Sequence, residues 1–266
     1  KEAAQLFKNQ SFQIFHSFHW AGDYTEPLIA HFAGAKWVYT KKNMNWGRNW
    51  FLRTLLADRV VARNTTMLER FFAPTWFRSK CVLVHGGVDV EKFSRQALAQ
   101  PGFREKMNIG KNEFVAVCIA QLTPVKGQHV LLEAAANVPG LHVWLAGREV
   151  DERYVTQLHD LCAKLKIEKR IHFLGSISDV RGLLAEADIF VLPTTRYGGH
   201  EEGCPVALLE GMASGKACIS TDVAGSRDLI QNQENGLLVG PENADGLAVA
   251  IKNLKENREK RFLFGC

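Results

Sequence analysis

The stretch FVAVCIAQLTPVKGQHVLLEAAANVPGLHVWLA, residues 114–146, decides the fold. Residues 114–120 are an unbroken apolar run, the pattern of a strand covered on both faces. Thr123-Pro124 breaks the chain, and Lys126-Gly127 stands before a helix predicted over 127–136. A second apolar strand follows at 141–146. Strand, helix and strand at this spacing form a parallel pair joined by a right-handed crossover.

Outward from this unit the alternation continues. Helices are predicted over 152–165, 178–187, 205–213, 226–230 and 244–256, and strands over 171–174, 189–192, 217–220 and 236–239. Six strands with intervening helices over about 145 residues make one complete Rossmann-like domain, with ligands expected at the loops that follow the strands. Glycine-rich punctuation at Ala-Gly-Arg148, Leu-Gly-Ser176 and Tyr-Gly-Gly-His200 fits those loops. Upstream, only 12–16, 36–40, 59–62 and 80–84 read as strands, with a helix at 27–32. That is roughly half a Rossmann domain. The division is accordingly a partial N-terminal domain, 1–95, and a C-terminal domain, 96–266, with RQALAQPG (95–102) as the crossing. The first residue is Lys, so the chain reads as a fragment or a processed product.

Composition narrows the function. The chain has 266 residues and a formal charge of +5, with Lys and Arg spread among acidic residues. That spread argues against a nucleic-acid groove; it suits solvated surface charge, a cleft for a small anion, or a face near acidic lipid headgroups. The six cysteines are scattered, without a CxxC pair or Cys/His metal spacing, which points to a reducing compartment. No run of eighteen apolar residues and no signal-peptide pattern occurs. A cytoplasmic location follows, with peripheral contact at the inner membrane face as an extension.

Two constellations carry chemistry. EEGCPVALLEGMASG, residues 201–215, sets Pro205 at the expected first position of a helix whose free backbone amides suit an anion. Glu202 precedes that end; Glu210 lies one to two turns further in. Taken alone, Glu202 reads as a loop acid, and Glu210 is as consistent with a structural hydrogen bond as with ligand contact. QLTPVKG, residues 121–127, ends the first C-terminal strand with a lysine that can neutralise a phosphate. A Lys-Gly pair by itself is more often solvated surface. No G-x-G-x-x-G follows this strand, which disfavours a dinucleotide oxidoreductase.

Together these residues resemble the retaining family-4 glycosyltransferases of the GT-B fold. Glu202, Gly203, Pro205, Leu208, Leu209, Glu210, Met212, Ala213 and Gly215 match E-G-x-P-x-x-L-L-E-x-M-A-x-G. Leu122, Lys126-Gly127 and 131–134 are similar to R-L-x-x-x-K-G-x-x-x-L-L-x-A; FLG at 173–175, ENGLLV at 234–239 and HGGVDVEKF at 85–93 add to the match. The resemblance implies two facing Rossmann domains with the active site between them. It implies transfer of a sugar from a nucleotide-sugar donor to an acceptor hydroxyl, with retained configuration and neither metal nor cofactor. A sugar or lipid-linked acceptor in cell-surface polysaccharide or glycolipid synthesis would fit.

By the same resemblance Lys126 would bind the donor diphosphate and Glu202 the transferred sugar, the two catalytic candidates. Glu210 would hold the ribose hydroxyls. Gly203 and Cys204 would supply loop amides, with Pro205 and Leu209 at the helix start. Gln121, Arg148 and the segment Phe173, Leu174, Gly175 and Ser176 would border the nucleotide. Gln121 stands where the family has Arg, and Arg196 is the candidate replacement. Lys41, Lys42 and Arg48 follow the strand at 36–40 and are candidates for an anionic acceptor or a donor phosphate. Three alternatives stay open: a non-catalytic nucleotide-sugar-binding remnant, a truncated fragment, and another GT-B enzyme such as a sugar-nucleotide epimerase.

Overall fold

The computed structural model describes residues 5, 8–18, 24–94, 102–198 and 201–265. The expected crossing at 95–101, Gly199-His200 of the glycine-rich loop and Cys266 lie outside these residues. Two compact units are present: Lys1–Gly86 with Glu202–Cys204, and Gly87–Glu201 with Pro205–Cys266. The second unit begins earlier than the 95/96 boundary read from the sequence. The reason is Phe93, which ends the Val90–Phe93 helix and is buried in the second unit's core.

The first unit contains a four-stranded parallel sheet: β1 (Ile14–Ser17), β2 (Lys36–Lys41), β3 (Arg59–Ala62) and β4 (Cys81–Leu83), in sequence order. All four expected strands are there. A helix missed in the sequence, Arg48–Leu56, buries Trp50, Arg53 and Thr54. Its weak apolar signal has a physical cause: one of its buried positions is an arginine. The Arg53 guanidinium lies 4.9 Å from the Trp37 ring and 5.2 Å from Tyr39, and pairs with Glu26 at 3.4 Å. Aromatic faces and a carboxylate together offset the cost of burying that charge.

The second unit holds β5 (Phe114–Ile119), β6 (Leu141–Ala146), β7 (Ile171–Gly175), β8 (Ile189–Leu192), β9 (Ala217–Thr221) and β10 (Leu237–Val239). Their order, β10-β9-β8-β5-β6-β7, is the doubly wound arrangement, and every pairing is parallel. Alternation along β5 shows why the run is apolar throughout. Phe114, Ala116 and Cys118 face one core with the Gln128–Ala136, Glu152–Leu165 and Ala244–Glu256 helices, while Val115 and Val117 face another with Leu183, Phe190 and Leu208.

Pairing between β5 and β8 is registered only at Ala116↔Ile189 and Val117↔Phe190, although the strands run on to Ile119 and Leu192. Here the order reverses: the chain leaves β5 toward β6 and leaves β8 toward β9. A crevice at the carboxyl ends of strands flanking such a reversal is where doubly wound domains bind ligands.

Candidate functional site

The two loops at that reversal are fastened to each other. After β5 the chain makes a short 3-10 turn, Pro124–Lys126, closed by Gly127 in the left-handed region at φ 68°. After β8 comes Pro193-Thr194-Thr195. The Thr195 N–H donates to the Val125 carbonyl at 2.8 Å, and its hydroxyl donates to the Pro124 carbonyl at 3.0 Å. Gly127 packs so closely that a Cβ would overlap the Pro193 carbonyl oxygen. Lys126, the expected phosphate ligand, therefore sits on a turn held at both ends. Its positive charge acts on the Cys118 thiol within the sheet, which burial has pushed up to about 12.

At the ends of β5, β6 and β7 a cavity of about 390 Å³ opens. It is lined by residues that include Gln121, Arg148, Ser176, Ile177 and Val180. Gln121 and Arg148, distant in sequence, are thus brought together. The tie is the backbone ladder extended past the strands, where Leu122 N–H donates to the Arg148 carbonyl at 2.9 Å. Phe173 and Leu174 are not in the lining. The Phe173 ring stacks on His159 of the Glu152–Leu165 helix at 4.1 Å, and Leu174 packs against the core. Ser176, the last residue of the segment the sequence set beside the base, lines the cavity together with Ile177. A strand's alternation, which turns Phe173 to the helix, was the available signal.

The E-G-x-P segment folds as a helix from Val206 to Ala213, with Pro205 at the cap rather than at the first helical position. The Leu208 and Leu209 amides already bond to the Pro205 carbonyl, at 3.1 and 3.4 Å. Leu208 is buried and Leu209 half-buried, and Gly211 lies flat against the Phe190 ring because a Cβ there would press on it at 2.7 Å. Glu210 is half-buried, and among the described residues its carboxylate makes no hydrogen bond. Burial raises its pKa, and the ammonium of Lys92, from the HGGVDVEKF segment, opposes the rise. The sequence linked neither Lys92 to Glu210 nor Thr195 to Lys126, because both pairs form only when loops from separate strands meet.

Glu201 accepts from the Ala224 N–H at 3.0 Å, fixing the loop before β9's following helix, Ala224–Arg227. Arg196, the candidate replacement for the missing arginine, is largely exposed and lies 3.5 Å from the same Glu201 oxygen.

Glu202, Gly203 and Cys204 group with the first unit. Buried Asn64 accepts from Met67 N–H at 2.6 Å, capping the helix that begins at Thr65, and donates to the Gly203 carbonyl at 2.7 Å. Gly203 has no room for a side chain, since a Cβ would meet the Lys42 carbonyl oxygen at 2.6 Å. The Arg63 guanidinium donates to Cys204 Sγ at 3.2 Å. Of the three basic candidates after β2, Lys42 is half-buried near Phe18 and Arg48 is exposed at the start of its helix. Lys41 is fully buried: its ammonium is 3.8 Å from the Trp50 ring centre and donates to Asn43 Oδ1 and the Asn45 carbonyl. An acceptor has no access to it.

Among the described residues no group of three or more His, Cys, Asp or Glu forms a metal-holding cluster, and no helix is long and apolar enough to cross a membrane.

Two parallel α/β sheets, one in the full six-strand doubly wound order with a basic turn at its reversal, define a Rossmann-like fold of the GT-B class. The family model for glycosyl transferases group 1 matches residues 100–264, and the chain belongs to that family. It is 33% identical over 158 residues to the lipopolysaccharide core biosynthesis glycosyltransferase LpsE of Rhizobium meliloti (strain 1021), which covers 59% of this chain and 44% of that protein. It is 31% identical over 188 residues to the N,N'-diacetylbacillosaminyl-diphospho-undecaprenol alpha-1,3-N-acetylgalactosaminyltransferase of Campylobacter jejuni, covering 68% of this chain and 46% of that one. The chain spans about half the length of the curated relatives it matches. Among solved structures, Anabaena Alr3699/HepE in complex with UDP shares the fold, with a TM-score of 0.85 at 21% identity over 99% of this chain and 74% of that one.

Proposed function

We propose that the chain is the donor-binding part, or more, of a retaining, metal-independent glycosyltransferase that uses a nucleotide-sugar. Glu210 carries this reading. A half-buried carboxylate with no hydrogen-bond donor among the described residues has its desolvation only partly offset, by the Lys92 ammonium. A ribose diol brings two O–H donors and suits it better than an anion does. Lys126 then lies on the diphosphate, and the cavity bordered by Gln121 and Arg148 takes the base. Glu202 contacts the hydroxyls of the transferred sugar.

In the reaction the bond from the anomeric carbon to the diphosphate oxygen breaks, and the acceptor oxygen bonds to that carbon on the same face. The acceptor's proton passes to the departing phosphate oxygen. Charge accumulates on the diphosphate as the bond breaks, so a fixed ammonium at Lys126 stabilises the transition state more than the ground state. The acceptor is a sugar, free or lipid-linked, of the kind named for the relatives, with Lys42, Arg48 and Arg196 as candidate anion contacts. Work on such an acceptor supports a location in the cytoplasm or peripherally at the inner membrane face.

Thermal unfolding with UDP, GDP, ADP and their sugars tests the reading. A ligand present at a hundredfold its Kd adds about 2.7 kcal/mol to the native state. No midpoint rise with any of them refutes it.

A further inference from the structure

The reversal point of the second sheet holds a residue that neither motif contains. Thr195 is 1% exposed and follows β8, whereas Lys126 follows β5. Strand pairing ends below both: the last registered pair is Val117↔Phe190. Beyond it the ladder is replaced by two bonds from one residue, Thr195 N–H to Val125 O and Thr195 Oγ to Pro124 O. These acceptors belong to the two residues immediately before Lys126. On the other side, the Thr195 methyl would stand 2.9 Å from a Cβ at Gly127. Within the turn, Lys126 N–H bonds back to Thr123 O at 2.9 Å and Gly127 N–H to Pro124 O at 3.1 Å. Both residues beside Lys126 are therefore held by Thr195, one through its carbonyl and the other through packing.

A flexible lysine on a free loop loses rotational and backbone freedom when it meets a phosphate, and a pinned turn has already lost the backbone share. The neighbouring threonine is differently placed: the Thr194 carbonyl accepts from the Thr221 hydroxyl at 2.5 Å, tying β8's loop to β9. Thr194 thus anchors the loop that Thr195 uses as its base.

We propose that Thr195 is a positioning residue for Lys126, presenting the lysine to the diphosphate of the donor by clamping its turn across the β5–β8 reversal. The proposal rests on the reading that Lys126 binds a nucleoside diphosphate.

The test is calorimetric titration of the full chain with UDP, GDP and ADP, using Thr195→Val, Thr195→Ser, Lys126→Ala and the Lys126→Ala/Thr195→Val double variant. Thr195→Val keeps the shape and removes one hydrogen bond, so affinity for the nucleotide that binds falls by about five- to tenfold. Thr195→Ser restores it to within about twofold, because it keeps both hydrogen bonds to the turn. In the Lys126→Ala background Thr195→Val adds no further loss, since its effect is exerted through the lysine. Affinity in Thr195→Val equal to wild type while Lys126→Ala is weakened overturns the positioning role and leaves the donor reading intact. An additive loss in the double variant overturns it too. If Lys126→Ala binds as wild type does, or nothing binds wild type, the reading of Lys126 as the diphosphate ligand falls and this proposal with it. Should Thr195→Val fail to fold, Thr195→Ser against Thr195→Ala makes the same comparison.

Discussion

Gly127→Ala isolates the geometry of the basic turn from its charge. Gly127 has φ 68°, a conformation that costs an L-residue about 1–2 kcal/mol. The added methyl also has nowhere to go. It would overlap the Pro193 carbonyl oxygen, come within 3.0 Å of the Pro193 carbonyl carbon and within 2.9 Å of Thr195 Cγ2. Backbone cannot rotate aside as a side chain does, so the turn must retreat from the β8 loop. Retreat strains the Thr195 bonds to Val125 and Pro124, each worth about 1 kcal/mol. Together these give a loss of about 3 kcal/mol, which in a unit of this size lowers the unfolding midpoint by roughly 6–12 °C. Scanning calorimetry resolves it, with Gly87→Ala as control: Gly87 lies in the same unit, and an added Cβ meets nothing within 4 Å. The control should stay within about 0.5 kcal/mol of wild type. A Gly127→Ala midpoint within a degree of the control would refute the claim that the two loops are locked together.

Other expectations concern charge. Lys126→Ala and Glu210→Ala should each weaken nucleoside-diphosphate binding by roughly ten- to a hundredfold, the worth of a hydrogen bond to a charged group; unchanged calorimetric affinity in both sinks the donor assignment. Glu202→Ala should leave nucleotide affinity within about twofold of wild type and abolish transfer, because its partners are on the sugar; an equal loss of bare UDP or GDP affinity contradicts that role. Burial raises the pKa of Glu210, so nucleotide affinity should climb with pH through that titration, as the carboxylate becomes the acceptor of both ribose hydroxyls. Glu210→Gln should flatten the profile, and a profile identical to wild type removes Glu210 from the site. Burial, with the nearby Arg53 charge, brings Lys41 down from 10.5 to about 7. Above that value the unfolded chain holds a proton the native one has released, so stability rises with pH, by about 1 kcal/mol from pH 7 to 8 relative to Lys41→Met. Urea unfolding followed by tryptophan fluorescence measures it, and parallel curves for the two proteins refute the burial of that ammonium.

The fold was largely legible in the residues. The apolar runs of β5, β6 and β8 are legible because both faces of a parallel sheet are covered, so nothing polar interrupts them. Helices that bury charge or abut another helix were not. Arg48–Leu56 buries Arg53, and Arg258–Phe264 follows another helix after one residue, leaving no turn signal to announce it. The E-G-x-P and Lys-Gly motifs nominate Glu202, Glu210 and Lys126 as candidates by residue type and spacing. Of the 173–176 segment that the sequence set beside the nucleotide, only Ser176 lines the cavity, because a motif does not say which way a strand's side chains point.

What the sequence determined by itself is therefore the parallel α/β architecture and the chemical kind of the candidate ligand residues, since both follow from local pattern: period, breakers and charge. Tertiary structure decided which of those residues are held and by what. Thr195 grips the turn of Lys126, Lys92 faces Glu210, Asn64 holds the Gly203 carbonyl, and Lys41 is shut inside an aromatic cage although it adjoins Lys42. Each pairing joins segments from different strands or loops. Hydrogen bonds and ring contacts act over a few ångströms of space, and separation along the chain carries no information about that distance until the sheet order is set.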